Sequence, residues 1–162
     1  MIKSNDVFHL MFKKIEGIEE DLKPYVKGYC PSPIENEILN DDIWREIMEE
    51  FSPKTSPNFL KEVSFSGWLL SLADYFLDLY KDNKNLFIVQ QIMNFIEKII
   101  PETDENTQGE IEVCFFESII NSLGEDEIKL KEFFKLLGPH SIELCKENDT
   151  FWGTHTKGLH ED

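Results

Sequence analysis

Positive charge is what this chain has least of. Arg45 is its one arginine, and its sixteen basic residues face thirty-two acidic ones, for a net charge of −16. So negative a body repels phosphate backbones and anionic membrane surfaces, which argues against nucleic-acid or lipid ligands. Apolar runs of about 18 residues are missing too, so no membrane-spanning helix is expected. The first residues, MIKSNDVFHLMFKKIEGIEED, lack a continuous apolar stretch and a small-residue cleavage site, so a secretory signal is not expected either. Cysteine is sparse and scattered. Cys30, Cys114 and Cys145 form no CxxC pair, which excludes a zinc ribbon or a disulfide scaffold and fits a reduced, cytoplasmic setting.

Catalytic signatures are equally scarce. GxGxxG, P-loop, HExxH and GxSxG patterns are all missing. The ExxH pairs that a diiron carboxylate bundle needs do not occur. The four histidines are His9, His140, His155 and His160. His9 reads as a helix-boundary residue and His140 as a cap after a Gly-Pro stop. His155 and His160 read as solvated tail residues. The expectation is a protein that is not an enzyme and needs no metal or cofactor.

What the chain does have is material for a core. Apolar residues make up 41% and aromatics 12%, with thirteen Phe and three Trp. Disordered acidic chains lack that mass. No segment alternates apolar and polar residues, and the apolar spacing is helical throughout. Helices are expected over residues 5–18, capped by Asn5 or Asp6, and over 35–51, with a Pro- and Gly-rich loop at 23–34 between them. After the break SPKTSP the central helix should cover 57–81, with Phe65, Leu69, Leu72, Phe76 and Leu79 spaced 4-3-4-3. Further helices are expected over 86–100 and, after a polar break, over 110–123, followed by one carrying Ile128, Phe133, Phe134, Leu136 and Leu137. A short helix over 140–148 should lead to Phe151-Trp152, an apolar clamp against the bundle. The expected fold is all-α, six to seven helices in a compact bundle or a short stack of helical hairpins. One domain should span residues 1–152, with a flexible tail at 153–162.

The acidic residues carry the functional signal. Solubility of a small domain needs a net charge of only about two to eight. Here acidic groups line whole segments, notably 35–50 and 102–112. Repulsion between like charges at i,i+4 costs a few tenths of a kcal/mol per pair, and a basic partner would relieve it. The face selected as partner-binding comprises Glu35, Glu37, Asp41, Asp42, Glu46 and Glu49, beside or opposite the Leu39/Ile43/Ile47 stripe.

From residue 87 to 152 the order of segments is informative: FIVQQIMNFIEKII, GEIEVCFFESIIN and FFKLLGPHSIELCKENDTFWG. Asn94-Phe95-Ile96-Glu97, Phe115-Phe116-Glu117, Leu137-Gly138-Pro139-His140-Ser141 and the closing Phe151-Trp152-Gly153 carry a likeness. This half of the chain resembles small, acidic, helical immunity proteins of bacterial polymorphic-toxin and contact-dependent inhibition systems. The resemblance implies a role and brings no catalytic residue with it. Together with the acidic field it points to an immunity protein that binds a cognate basic toxin of nuclease type and occludes its active or substrate-binding site. Two alternatives share the electrostatics: a nucleic-acid mimic that inhibits a defence enzyme, and a helical adaptor for a basic peptide.

Overall fold

The computed structural model describes residues 1–26 and 63–160. The helix expected over 35–51, the SPKTSP break and the six selected acidic residues lie outside them. The described residues form an all-α fold with seven helices. These are α1 (Ser4–Lys14), α2 (Ile18–Val26), α3 (Phe65–Lys81), α4 (Leu86–Ile99), α5, α6 (Glu127–Leu136) and α7 (Pro139–Trp152). The fifth, α5, runs as Glu105–Ile111, passes through a π-helical segment at Glu112–Phe116 and continues as Glu117–Leu123. Among the described residues no helix is long and apolar enough to cross a membrane.

Several boundaries differ from the sequence reading, each for a local reason. The single helix expected over 5–18 is two. Ile15 turns extended after α1, and Gly17 adopts φ +81°, a left-handed conformation costly for any residue with a Cβ. Neither Asn5 nor Asp6 caps α1, because the helix already starts at Ser4. An N–H···O bond of 2.7 Å from Ile2 to the Glu102 carbonyl pins the chain just before it. Pro24, expected in a loop, lies inside α2. It faces solvent there, so water can satisfy the carbonyl its missing N–H leaves unpaired. The central helix starts at Phe65 rather than 57, since Val63 and Ser64 are extended or irregular and the Ser64 hydroxyl accepts from Gly67 N–H at 3.0 Å. The break expected before residue 110 is mostly helix, because Asp104 caps α5 by accepting from Thr107 N–H at 2.8 Å.

The core follows from α3. Phe65, Leu69, Leu72 and Phe76 are buried as their spacing requires. Phe76 meets Phe115 of α5 and Phe133 of α6 edge-on, each at 5.8 Å between ring centroids, and stacks on Tyr80 at 5.7 Å. Two reciprocal Tyr–Asp bonds hold α2 against α3: Tyr25 donates to Asp78 at 2.6 Å and Tyr75 to Asp21 at 3.1 Å. Burial, followed by these acidic partners, pushes both phenols up to about 12. Three apolar residues expected inside are outside. Ile128 is exposed in the first turn of α6, and the Phe151-Trp152 clamp faces solvent.

Candidate functional site

None of Glu35, Glu37, Asp41, Asp42, Glu46 and Glu49 lies among the described residues. The surroundings of α7 are distinctive in three ways. Its N-terminus is capped from another helix, its inner face carries the buried Asp149 near the buried Glu112, and its last turn leaves two aromatic rings exposed.

Helix α7 starts at Pro139, a proline in the first turn where no N–H is needed. The next two N–H groups, from His140 and Ser141, donate to the Glu97 carboxylate at 2.8 and 2.9 Å, and the Ser141 hydroxyl donates to it at 2.6 Å. Burial alone would raise the Glu97 carboxyl. The Ser141 hydroxyl and the two backbone donors outweigh burial and hold it below the usual glutamate range. His140 therefore caps through its backbone, not its ring. Gly138 makes the approach possible, since a Cβ there would lie 2.6 Å from Glu97 Cγ. Gly138→Ala should break the cap, costing about 1–3 kcal/mol. Glu97→Ala should cost a similar amount, and the double variant little more than either alone, as a denaturant double-mutant cycle would read.

The inner face of α7 buries Ser141, Leu144, Cys145 and Asp149. Asp149 ties down the chain beyond the helix. It accepts from Thr154 Oγ1 (3.0 Å), Thr156 N–H (2.7 Å), Thr156 Oγ1 (2.6 Å) and His160 Nε2 (2.8 Å). Burial opposes its ionisation, and the Thr156 bonds lead the donors that keep it ionised below the ordinary aspartate range. Residues 153–160, expected to fray, are thus folded back, with Leu159 buried beneath them. His155 stacks on His160 with planes 18° apart, so the rings lie face to face rather than around a common ion. Among the described residues no group of three or more His, Cys, Asp or Glu is placed to hold a metal.

Glu112, in the π-helical segment of α5, is 4% exposed, and its Oε2 has no hydrogen-bond partner among the described residues. Burial, then the negative charges of Glu117 and Asp149, push its carboxyl up to about 8, so it is protonated at neutral pH. The Cys145 thiol is raised by burial and then by Glu112 and Asp149, which leaves it inert. Both carboxylates are closed to a substrate.

The outer face of α7 offers more. Pro139, Ile142, Glu143, Lys146, Glu147, Thr150 and Phe151 line a shallow open trough along it. Phe151 and Trp152 are 78% and 64% exposed, and their rings meet at right angles 5.1 Å apart. Sequence reasoning did not select this face, although the spacing 139, 142, 143, 146, 147, 150, 151 marks one side of a helix. Glu97, Glu112 and Asp149 were missed as well. Among so many acids nothing local separates a buried carboxylate from a solvated one.

The chain belongs to a family described as a domain of unknown function, DUF7674, whose model matches residues 38–153. The match spans α3 to the end of α7 and leaves out α1, α2 and the residues Asp149 gathers. No curated protein and no solved structure matches the chain.

Proposed function

We propose that the protein acts by binding rather than catalysis, as an immunity protein that neutralises a cognate basic toxin of nuclease type by covering its active or substrate-binding site. The charge carries this reading: −16 on a chain with ample apolar mass for a packed helical core. A field of that sign and density speeds encounter with a cationic surface and discriminates against acidic ones. The likeness of residues 87–152 to bacterial immunity proteins points the same way. The already partnered state of the half-buried Glu97 and the buried Asp149 supports a non-catalytic role.

Long-range attraction should then set the association rate. The Debye length falls from about 10 Å at 0.1 M salt to about 3 Å at 1 M. The on-rate for a basic nuclease domain encoded beside this gene should drop at least tenfold over that range, with little change in the off-rate. Reversing Asp41, Asp42, Glu46 and Glu49 to Lys should leave the helical circular-dichroism spectrum intact, weaken binding and abolish protection in co-expression. A variant that folds and protects like the parent, with the salt dependence unchanged, rejects those four residues as the binding face. Salt-independent association rejects the electrostatic reading as a whole.

A further inference from the structure

We propose that the solvent face of α4 is a self-association surface, on which the same helix of a second copy of this chain lies antiparallel across a two-fold axis. It stands apart from the toxin reading, since it needs no cationic partner.

The face is defined by what it lacks. Thirty-two acids are spread over 162 residues, yet between Asp82 and Glu102 the single carboxylate is Glu97, and that one is engaged by the N-terminus of α7. Phe87, Gln90, Gln91, Asn94 and Lys98 recur at i, i+3, i+4, i+7 and i+11, so they share one side of α4 within an arc of roughly 100°. All are exposed except the half-buried Gln91, while Val89, Ile92, Met93 and Ile96 face the core. Among the described residues each of the other six helices turns at least one carboxylate to solvent: Asp6, Glu19, Asp74, Glu105, Glu127 and Glu143. Phe87 is 71% exposed, a large ring that the core does not use. Few charges and an exposed aromatic ring are the composition of an interface centre.

Two properties select a second copy. The face is complementary to itself when turned end for end. With the axis midway between Phe87 and Lys98, Phe87 of each copy meets Lys98 of the other, a ring against a cation on a long apolar stem, and Gln91 meets Asn94. Side-chain amides both donate and accept, so they pair across a two-fold axis without a counter-charge. Gln90 Nε2 donates to Asn94 Oδ1 at 2.9 Å within the helix, which leaves the Asn94 amide hydrogens to donate across the axis. Charge is the second property. Sixteen excess negative charges on each copy oppose contact through the acidic faces, and α4 is where that repulsion is least. A cationic partner is drawn to the acidic faces instead. The 14 residues of α4 span about 21 Å. One helix pair of that length buries less than the roughly 800 Å² per partner of a standard interface, so the dimer is weak and forms at high concentration.

Sedimentation equilibrium of the full chain, up to millimolar concentration, tests this. Salt shortens the Debye length from about 10 Å at 0.1 M to about 3 Å at 1 M, so the association constant should rise at least tenfold over that range. That is the reverse of the trend for a cationic partner. Phe87→Ala should weaken the dimer at least tenfold and leave the melting temperature of the dilute monomer unchanged. Gln90→Glu with Asn94→Glu should abolish it by placing four carboxylates beside the axis. Lys146→Gln with Thr150→Glu changes the net charge equally at exposed positions of α7 and should keep most of the association. Circular dichroism checks that each variant is folded. A chain that stays monomeric at millimolar concentration in 1 M salt overturns the proposal. So does a dimer that ignores Phe87→Ala and the α4 pair, because its contact lies elsewhere. A dimer that salt dissolves, or that the α4 and α7 pairs weaken equally, overturns it as well, since charge in general would then govern assembly. Toxin binding is read separately, by the salt dependence of its association rate, so either proposal can fail alone.

Discussion

Phe76→Ala is expected to lower the unfolding free energy by about 3–5 kcal/mol, the largest loss of any single substitution considered. Phe76 is fully buried on α3, and its ring touches Phe115, Phe133 and Tyr80. Truncation removes apolar area from the core and leaves a void that three other large rings, fixed in α3, α5 and α6, cannot readily fill. A domain of this kind has about 5–15 kcal/mol in total, so urea unfolding should show a midpoint shift with an unchanged slope. Phe151→Ala is the matched control, since that ring is exposed and its loss should cost under about 0.5 kcal/mol. Comparable losses for the two would mean that the α3 stripe does not organise the core.

Glu112→Gln should reshape the pH dependence of stability. In the unfolded chain the carboxyl titrates near 4.5, and in the fold burial and its acidic neighbours raise it to about 8. Below the unfolded value it is protonated in both states and costs nothing. As pH rises towards 8 the unfolded chain ionises while the folded one stays neutral, so this group draws stability away. At about 1.4 kcal/mol per unit the loss approaches a few kcal/mol by pH 9. Glutamine keeps the shape and cannot ionise. The variant should match the parent near pH 4 and exceed it by up to about 5 kcal/mol at pH 9. Glu97 and Asp149 have the opposite sign. Their carboxyls are depressed, so the stability they contribute is present above the ordinary carboxylate range and is lost as pH falls through their folded values. The two windows do not overlap, and melts from pH 2 to 9 separate them. Parallel profiles for parent and Glu112→Gln above pH 6 would show that Glu112 is solvated after all.

Much of the fold was legible because helix formation is written in local spacing. The Phe65/Leu69/Leu72/Phe76 stripe predicted both the helix and its burial, and Gly138-Pro139 marked the start of α7. Errors fell where a local cue met a distant constraint. Pro24 reads as a breaker, yet α2 passes through it because its ring faces water. Residues 104–109 read as polar break, yet Asp104 caps a helix whose Thr107 and Ile111 are buried. Phe151-Trp152 reads as core by composition and stands one heptad beyond the buried Leu144 and Cys145, yet both rings are exposed at the last turn of α7, so helix phase alone did not decide their burial. The segments Asn94–Glu97 and Leu137–Ser141, which carried the resemblance to immunity proteins, turn out to be joined through Glu97.

Composition and period by themselves determined an all-helical chain with a phenylalanine-rich core and a strongly negative field, because charge sums along a chain and apolar period needs only near neighbours. The tertiary structure alone decided which acids serve the fold. Glu97 meets the N-terminus of α7 across 43 positions, Glu112 of α5 and Asp149 on the inner face of α7 are buried, and Glu143 and Glu147 stay on the surface. Five carboxylates with the same intrinsic chemistry were sorted by packing, since desolvation and the reach of a hydrogen bond are set by neighbours far along the chain.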